Sequence, residues 1–201
     1  MCKMNNEEQV NDRFPRDIAN HEMKVEIDDG VHRSILFTDH DDSYHLHFRI
    51  VTWPGQLCIS GDMGCFVFAR CDDMFRFFRG KAEHTDLAYI SQKCVAVCET
   101  DGMTKFSEQG FRDYIEEERI FRLEEHGEES DEVAELDNLL ECSDDINSVD
   151  EAMSRCYDIL SLYDVDARTF ECLTYRFLWN VKAIIWGIQQ YDNVARFKTL
   201  G

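Results

Sequence analysis

The sequence predicts an α+β protein, in which an N-terminal antiparallel β-meander is followed by a helical half with acidic surface helices. Apolar and polar residues alternate with a period of two in several short segments before residue 70, as they do in half-buried strands. After residue 79 the apolar residues recur every three or four positions, as they do along one side of a helix. Because 44% of the residues are hydrophobic, the chain can bury a sizeable core.

The length of 201 residues fits one domain, or one domain with a helical extension. We expect residues 1–106 to form the antiparallel sheet with its flanking helices. Residues 107–201 are expected to form an acidic helical subdomain packed on that sheet, within one continuous domain. Residues 5–20 carry only a few apolar positions, which predicts a short helix or a loosely held arm.

Four or five strands are predicted in sequence order, as a meander. The first three are expected at residues 23–27, 31–37 and 44–53. A hairpin follows, with strands at 57–60 and 65–69. The motif Gly61-Asp62-Met63-Gly64 between them supplies the positive-φ positions of a tight turn. Such a sheet buries one face and needs a helix or a second sheet to cover it.

Helix starts are marked by residues whose side chains cap an N-terminus. The predicted N-caps are Asp72, Thr85, Ser107, Ser130 and Ser148, the last in a capping-box pattern with Glu151. The buried stripe expected after the second of these caps consists of Leu87, Ile90, Cys94 and Val97. A hairpin pairing residues 95–99 with 103–106 remains the alternative there, because Asp101-Gly102 is a hairpin-type turn.

The longest helix is predicted at residues 169–191, near the C-terminus. Apolar residues repeat along it at Phe170, Leu173, Phe177, Val181, Ile184, Ile188 and Tyr191. Two flanking apolar stripes widen this arc, and a helix apolar over so wide an arc is normally buried at the centre of a domain.

Two segments of the chain resemble a family of uncharacterised phage-encoded proteins. The first segment matches at Thr52-Trp53-Pro54-Gly55, Leu57-Cys58-Ile59-Ser60-Gly61-Asp62-Met63-Gly64, Phe66-Val67-Phe68, Asp73-Met74-Phe75 and Phe77-Phe78-Arg79. The second matches at Tyr175-Arg176-Phe177-Leu178-Trp179 and Ile185-Trp186-Gly187-Ile188-Gln189-Gln190-Tyr191-Asp192. The resemblance implies a setting, the bacterial cell under infection, and it supplies no catalytic residues.

The N-terminus has no apolar run and therefore does not predict a signal peptide. The most apolar segment, residues 177–188, is interrupted by Asn180 and Lys182 and is too short to span a bilayer. We therefore expect a soluble protein in the cytoplasm of the infected bacterial host, without membrane binding.

Nine cysteines form an odd set without a CxxC pair. Most of them sit inside apolar patterns, which favours reduced thiols used as small core residues. A zinc site built from Cys94, Cys98 and a distant histidine is the alternative, although the close-spaced pairs typical of zinc sites are missing.

Other motifs also favour structural roles. The motif at 61–64 lacks the spacing and the Lys-Ser/Thr ending of a phosphate loop, which favours a turn. A metal cluster is conceivable from His40, His45 and His47 with Asp39, Asp41 and Asp42. A solvated polar strand face accounts for the same pattern. We expect no cofactor, no metal and no catalytic residues.

The net charge of −20 is the compositional feature that bears most on function. Residues 108–171 hold 22 acidic residues against five arginines, a net charge of −17. Such repulsion opposes folding, so a function should offset it. Carboxylates on successive helical turns can present a line of charge like that of a nucleic acid.

The sequence therefore predicts a non-enzymatic inhibitor of a host nucleic-acid-binding defence complex, of the anti-CRISPR or anti-restriction type. Its partner would be a protein or ribonucleoprotein with a basic nucleic-acid-binding groove, and it would not bind nucleic acid itself. The residues predicted to contact the partner are Glu116, Glu117, Glu124, Glu125, Glu128, Glu129, Asp131, Glu132, Glu135, Asp137, Asp144 and Asp145. The alternatives are a metal-assisted enzyme acting on nucleotides or nucleic acid, and an acidic adaptor protein.

Overall fold

The computed structural model describes residues 5–40, 45–79, 86–99, 102–127, 130–160 and 165–199. The chain divides into two compact units. Unit 1 comprises Met1–Met103 and Leu173–Gly201, and unit 2 comprises Thr104–Cys172. This division differs from the expected one at residue 106, because the C-terminal helix belongs to the unit that contains the large sheet. The predicted α+β class is confirmed.

Unit 1 contains a six-stranded antiparallel sheet. Its strands are β1 His21–Asp29, β2 His32–Asp39, β3 Phe48–Trp53, β4 Gln56–Gly61, β5 Gly64–Ala69 and β6 Cys94–Val97. They lie in sequence order across the sheet, so the predicted meander is confirmed. One face is buried because apolar residues occupy alternate positions, as in β3, where Phe48 and Ile50 are inaccessible to solvent and Arg49 and Val51 are half-buried.

The covering element is α7, Tyr175–Thr199. Its buried residues share one hydrophobic cluster with the inner face of the sheet. A Cβ atom at Gly187 would lie 2.9 Å from the side chains of both Ile50 and Phe37, so glycine permits the close approach of this helix. The helix begins later than residue 169 because Ala167–Phe170 forms a 3₁₀ turn and Glu171–Leu173 forms strand β8.

Three shorter helices complete unit 1. They are α1 Asn6–Asp17, α2 Met74–Arg79 and α3 Leu87–Ser91. A capping box between Asn5 and Glu8 fixes the start of α1, so of the two predictions for residues 5–20 the helix is the correct one. The prediction that Asp72 caps α2 is wrong, because the carboxylate that accepts the Phe75 N–H, at 3.0 Å, belongs to Asp73. The predicted cap Thr85 lies outside the described residues, and Asp86 caps α3.

Strand β6 departs from both sequence predictions for its region. Cys94 and Val97 were assigned to a helical stripe, but they lie in a strand that pairs with β5. The alternative hairpin is also wrong, because β7, Thr104–Phe106, pairs with β8 instead. Four apolar residues are too few to distinguish a strand from a helix by their period.

The motif at 61–64 forms the turn between β4 and β5. Gly64 has a φ of 97°, whereas Gly61 is needed for space, because its Cβ would lie 2.1 Å from the carbonyl oxygen of His47. The Asp62 carboxylate accepts the Leu46 N–H at 2.7 Å. From α7, Asn180 donates to the Met63 carbonyl at 2.7 Å. These contacts give the motif a structural role.

Residues of the two motif-bearing segments, 52–79 and 175–192, also meet inside unit 1. Asp73 pairs with Arg33, at 2.9 Å, and the Arg33 guanidinium lies over the Phe75 ring, 4.5 Å from its centroid. At the other end of α2, Arg79 forms two hydrogen bonds to Asp192 of α7, at 2.7 and 2.8 Å. The two matching segments therefore stabilise one packed interface between the sheet, α2 and α7.

Unit 2 is built from three helices, α4 Glu108–His126, α5 Asp131–Glu141 and α6 Val149–Leu160. Ser107 caps α4 as predicted, accepting the Gly110 N–H at 3.0 Å. The small core of this unit consists of Phe111, Ile115, Leu136, Leu139, Ile146, Ala152, Cys156 and Phe170. Among the described residues, no helix is both long and apolar enough to cross a membrane.

Candidate acidic interaction surface

The predicted partner-binding residues that the structure describes all lie on unit 2. Four are on α4, four on α5, and two on the 3₁₀ turn Ser143–Asp145, whereas Glu128 and Glu129 lie outside the described residues. Helical periodicity explains their orientation. Phe111 and Ile115 point into the core from α4, whereas the predicted acids of this helix lie at other positions and are exposed. Of the ten described residues, only Glu132 is half-buried, and the others are exposed.

Three arginines of α4 connect it to the acidic elements that follow. Arg122 donates to Glu132 at 2.7 Å, and Arg119 donates to Asp137. Arg112 donates to Ser143 and lies 3.4 Å from Asp144. The positions 112, 119 and 122 are seven and three residues apart, which places them on one side of the helix.

These bridges decide which acids remain uncompensated. Glu132, Asp137 and Asp144 each have an arginine partner. Glu116 lies 4.0 Å from Arg119, and Glu125 lies 3.8 Å from His126. Of the ten described residues of the predicted set, five form neither an ion pair nor a side-chain hydrogen bond. These five residues, here called the acidic face, are Glu117, Glu124, Asp131, Glu135 and Asp145.

The charge asymmetry predicted from the sequence coincides with the division into units. Unit 2 carries 22 acidic and six basic residues, a net charge of −16, whereas unit 1 carries −4. Four of the six bases in unit 2 form ion pairs with acids of the same unit, namely the three bridging arginines of α4 and Arg168, which pairs with Asp166. Its basic charge is therefore used largely inside the unit, and carboxylates dominate its surface.

The spacing of carboxylates along α4 can be compared with that of phosphates. Seven carboxylates occur in its 19 residues, which span about 28 Å at about 1.5 Å per residue. This is roughly one charge per 4 Å of axis, close to the value of about 3.4 Å for one nucleic-acid strand and far from about 1.7 Å for a duplex. The three arginines of α4 reduce its net charge to −4, roughly one charge per 7 Å, so its net charge density is about half that of a single strand.

The histidine cluster does not assemble as a strand face, because β3 begins at Phe48 and His45 and His47 precede it. His40 contacts Asp39 at 2.6 Å, and His47 contacts Asp62 at 3.1 Å. Asp41 and Asp42 lie outside the described residues. Among the residues described, no group of three or more His, Cys, Asp or Glu side chains converges as metal ligands.

The eight described cysteines are free thiols. Cys156 is buried in the core of unit 2, and the half-buried Cys71 and Cys94 pack against the core of unit 1, so the prediction that most are core residues holds for these three. Cys58 and Cys65 lie on neighbouring strands with their sulfur atoms 3.7 Å apart. Burial raises the pKa of Cys58 to about 12, and the neighbouring Cys65 contributes to the shift. Burial likewise raises the pKa of Cys94 to about 11. Thiols with such pKa values are weak nucleophiles at neutral pH.

Sequence reasoning missed two sets of residues. The bridging role of Arg112, Arg119 and Arg122 was not recognised, although their spacing along one helix face could have indicated a common partner. Lys182 was treated only as an interruption of an apolar segment, whereas it lines a cavity beside α1. No sequence signal identifies that cavity, since the residues that line it from α1 and from α7 are more than 160 residues apart in the sequence.

Comparisons of this chain with protein-family models, with curated proteins and with solved structures give no match.

Proposed function

We propose that this protein is a non-enzymatic inhibitor that occupies a basic nucleic-acid-binding groove of a host defence complex. The acidic face of unit 2 would take the place of the nucleic-acid backbone in that groove. The observation that carries the proposal is the uncompensated charge of Glu117, Glu124, Asp131, Glu135 and Asp145 on a unit whose net charge is −16. Lys and Arg side chains arranged for phosphates attract such a surface from a distance.

The arginine bridges favour a surface that mimics nucleic acid over an acidic surface that only keeps the protein in solution. Arg119 and Arg122 tie α5 to α4, so carboxylates of both helices are held in a fixed arrangement. A preorganised array loses less conformational entropy on binding than a flexible acidic tail does. The carboxylates of α4, counted without its arginines, are spaced more like the phosphates of one strand than those of a duplex, so we expect the target groove to be one that holds a single strand or one strand of a duplex.

The resemblance of unit 1 to phage-encoded proteins supports the biological setting. A phage gains from blocking host complexes that bind its nucleic acid, such as CRISPR effectors and restriction enzymes. The matching motifs stabilise unit 1 through contacts such as Arg79 with Asp192, so they fit a scaffold. The partner-binding role would then belong to unit 2, where the sequence resembles no family.

A charge-reversal pair of variants tests the proposal. The first variant changes Glu117, Glu124, Asp131 and Glu135 to lysine, all exposed and without partners within the described residues. The matched control changes four exposed acids of unit 1 to lysine, Glu22, Asp29, Asp72 and Glu99. Both variants gain eight positive units of charge, so they differ only in where the change is made.

The measurement is DNA binding by purified CRISPR effector and restriction complexes, together with plating efficiency of a phage that these systems target. We expect the wild-type chain and the unit 1 control to block DNA binding, and the unit 2 variant to lose the block. Inhibition should weaken as sodium chloride rises from 0.1 to 1 M, because the screening length falls from about 10 Å to about 3 Å. Equal inhibition by both variants would contradict the proposal.

Competition distinguishes a mimic from an adaptor. A complex that already holds its cognate nucleic acid should not bind this protein, because the groove is occupied. If the loaded complex binds as tightly as the empty one, the acidic face does not replace nucleic acid and an adaptor role would be favoured.

A further inference from the structure

A cavity of about 320 Å³ opens within unit 1, between α1, α3 and α7. Its volume lies at the lower end of the range found for small-molecule sites, about 300–1,000 Å³. Seven of its eleven lining residues are apolar, namely Val10, Phe14, Leu87, Leu178, Val181, Ile185 and Trp186. The polar residues are Glu7, Asn11, Lys182 and Gln189.

Lys182 is the residue that gives this cavity a chemical preference. It is half-buried on α7, and burial lowers the pKa of its ammonium group, an effect that the charge of Glu7 opposes. Within the described residues, Lys182 forms neither an ion pair nor a hydrogen bond. A half-buried cation without a partner is unfavourable, and an anion placed beside it would offset that desolvation.

Two amides add hydrogen-bond donors to the same cavity. Asn11 and Gln189 both line it, and neither forms a side-chain hydrogen bond within the part of the chain described here. A carboxylate accepts hydrogen bonds at two oxygens and can therefore contact an ammonium and an amide together. The apolar walls would surround the rest of such a ligand.

The charges around the cavity select the type of anion. Lys182 is the single cation among the lining residues, and Glu7 is the single anion. A phosphate dianion would be repelled by Glu7 more strongly than a monoanion, and one ammonium cannot neutralise it. We propose that this cavity binds a small amphipathic monocarboxylate, with its carboxylate on Lys182 and its aliphatic chain between α1 and α7.

Octanoate is a suitable probe, used below the concentration at which it forms micelles, with 1-octanol as its uncharged counterpart. Binding to the full chain is measured by calorimetry and by tryptophan fluorescence, since Trp186 lines the cavity. We expect octanoate to bind at least tenfold more tightly than 1-octanol. Affinity should rise about fourfold for each methylene added between hexanoate and octanoate, until the cavity is filled.

Two variants with opposite expected effects test the electrostatic part. Lys182→Met keeps an unbranched side chain that is one atom shorter and removes the charge, so octanoate should bind at least tenfold more weakly while 1-octanol is unaffected. Glu7→Gln removes an exposed carboxylate that would repel the carboxylate of the ligand. Octanoate should therefore bind about two- to fivefold more tightly, a modest gain because solvent around Glu7 already weakens that repulsion. The matched control, Lys24→Met, removes an exposed lysine of β1 that does not line the cavity and should change neither affinity.

A third variant tests the location. Leu87→Trp places a larger side chain at the α3 wall and should abolish binding of both probes. Trp186→Phe should remove the fluorescence response while calorimetry still detects binding. The proposal is overturned if octanoate does not bind at 5 mM, if octanoate and 1-octanol bind equally, or if Glu7→Gln leaves the affinity for octanoate unchanged.

Discussion

The two units of this protein bury their apolar residues on very different scales. The hydrophobic cluster of unit 1 contains 21 buried residues, including the large side chains of Trp179 and Phe177, whereas that of unit 2 contains eight. Unit 2 also carries −16 of the total charge of −20. Since apolar burial stabilises a fold and like charges oppose it, unit 2 should be the less stable of the two.

The difference fits the roles that we propose for the two units. Unit 1 has long-range aromatic packing and little net charge, as a scaffold requires. Unit 2 compensates for its small core with arginine bridges such as Arg122 to Glu132, while its remaining acids stay exposed. A surface selected for binding charge would account for the lower stability that this arrangement implies.

The largest expected effect concerns the core of unit 1. Trp179 is inaccessible to solvent, packs against Phe14 and Phe48, and donates to Asp17 at 2.9 Å. Trp179→Ala should lower the free energy of unfolding by about 3–5 kcal/mol. Urea denaturation followed by circular dichroism measures it. Trp53→Ala, at a half-buried position of β3, is the matched control and should lose clearly less. A loss below about 0.5 kcal/mol for Trp179→Ala would contradict the assignment of α7 to the core.

Thiol labelling compares the two units within one molecule. Burial raises the pKa of both Cys58, in unit 1, and Cys156, in unit 2, to about 12. At pH 8 each thiol is therefore only about 10⁻⁴ ionised while its unit stays folded. We expect iodoacetamide in moderate urea to modify Cys156 at least tenfold faster than Cys58, as located by peptide mass mapping. If the labelling rates of Cys58 and Cys156 depend on urea in the same way, the two units unfold together, and the prediction that unit 2 is less stable is wrong.

The arginine bridges can be tested one at a time. The side chain of Arg122 is only 18% exposed, and that of its partner Glu132 is 46% exposed. Arg122→Met should destabilise unit 2 by about 1 kcal/mol, a value reduced by the solvent around Glu132. Arg168→Met removes a more exposed pair, with Asp166, and should change stability by less than about 0.5 kcal/mol. The measurement is the urea dependence of Cys156 labelling, and equal effects of the two substitutions would show that the bridge is unimportant.

The smallest expected effect is that of salt on stability, and it should be larger for unit 2 than for unit 1. Raising sodium chloride from 0.1 to 1 M screens the repulsion among the carboxylates of unit 2. Its stability should increase by a few tenths of a kcal/mol to about 1 kcal/mol, measured by slower labelling of Cys156. Labelling of Cys58 is the internal control and should respond less. A decrease in the stability of unit 2 would mean that its arginine bridges outweigh its repulsion.

The parts of the fold that the sequence predicted are those with a clear local period. Alternation identified the strands before residue 70, and the three- to four-residue repeat identified α7. The segment 94–97 failed because four apolar residues fit a strand and a helix equally well. Whether Asp72 or Asp73 caps α2 depends on one hydrogen bond, which no residue preference resolves.

For the candidate site, the sequence predicted the excess of acidic residues but not which of them are paired. Excess carboxylate in residues 108–171 is visible in the sequence, and the described members of the predicted set are mostly exposed. Which of them are neutralised could not be predicted, because pairs such as Arg119 with Asp137 join residues on different helices. The cavity beside Lys182 was also unpredictable, since it exists only when α1 and α7 pack together.

Unit 1 is discontinuous, and this has a consequence for how the protein is synthesised. The strands β1 to β5 emerge from the ribosome first, but α7, which covers their apolar face, ends at residue 199, 130 residues after β5. At about 5–20 residues per second, α7 is missing from that face for roughly 7 to 26 s, although α1 and α2 already contribute to the same core. During this interval unit 2 can complete its own helices, whereas the sheet cannot complete its core. The nascent chain, more than the finished protein, is therefore the species that needs protection by chaperones from aggregation.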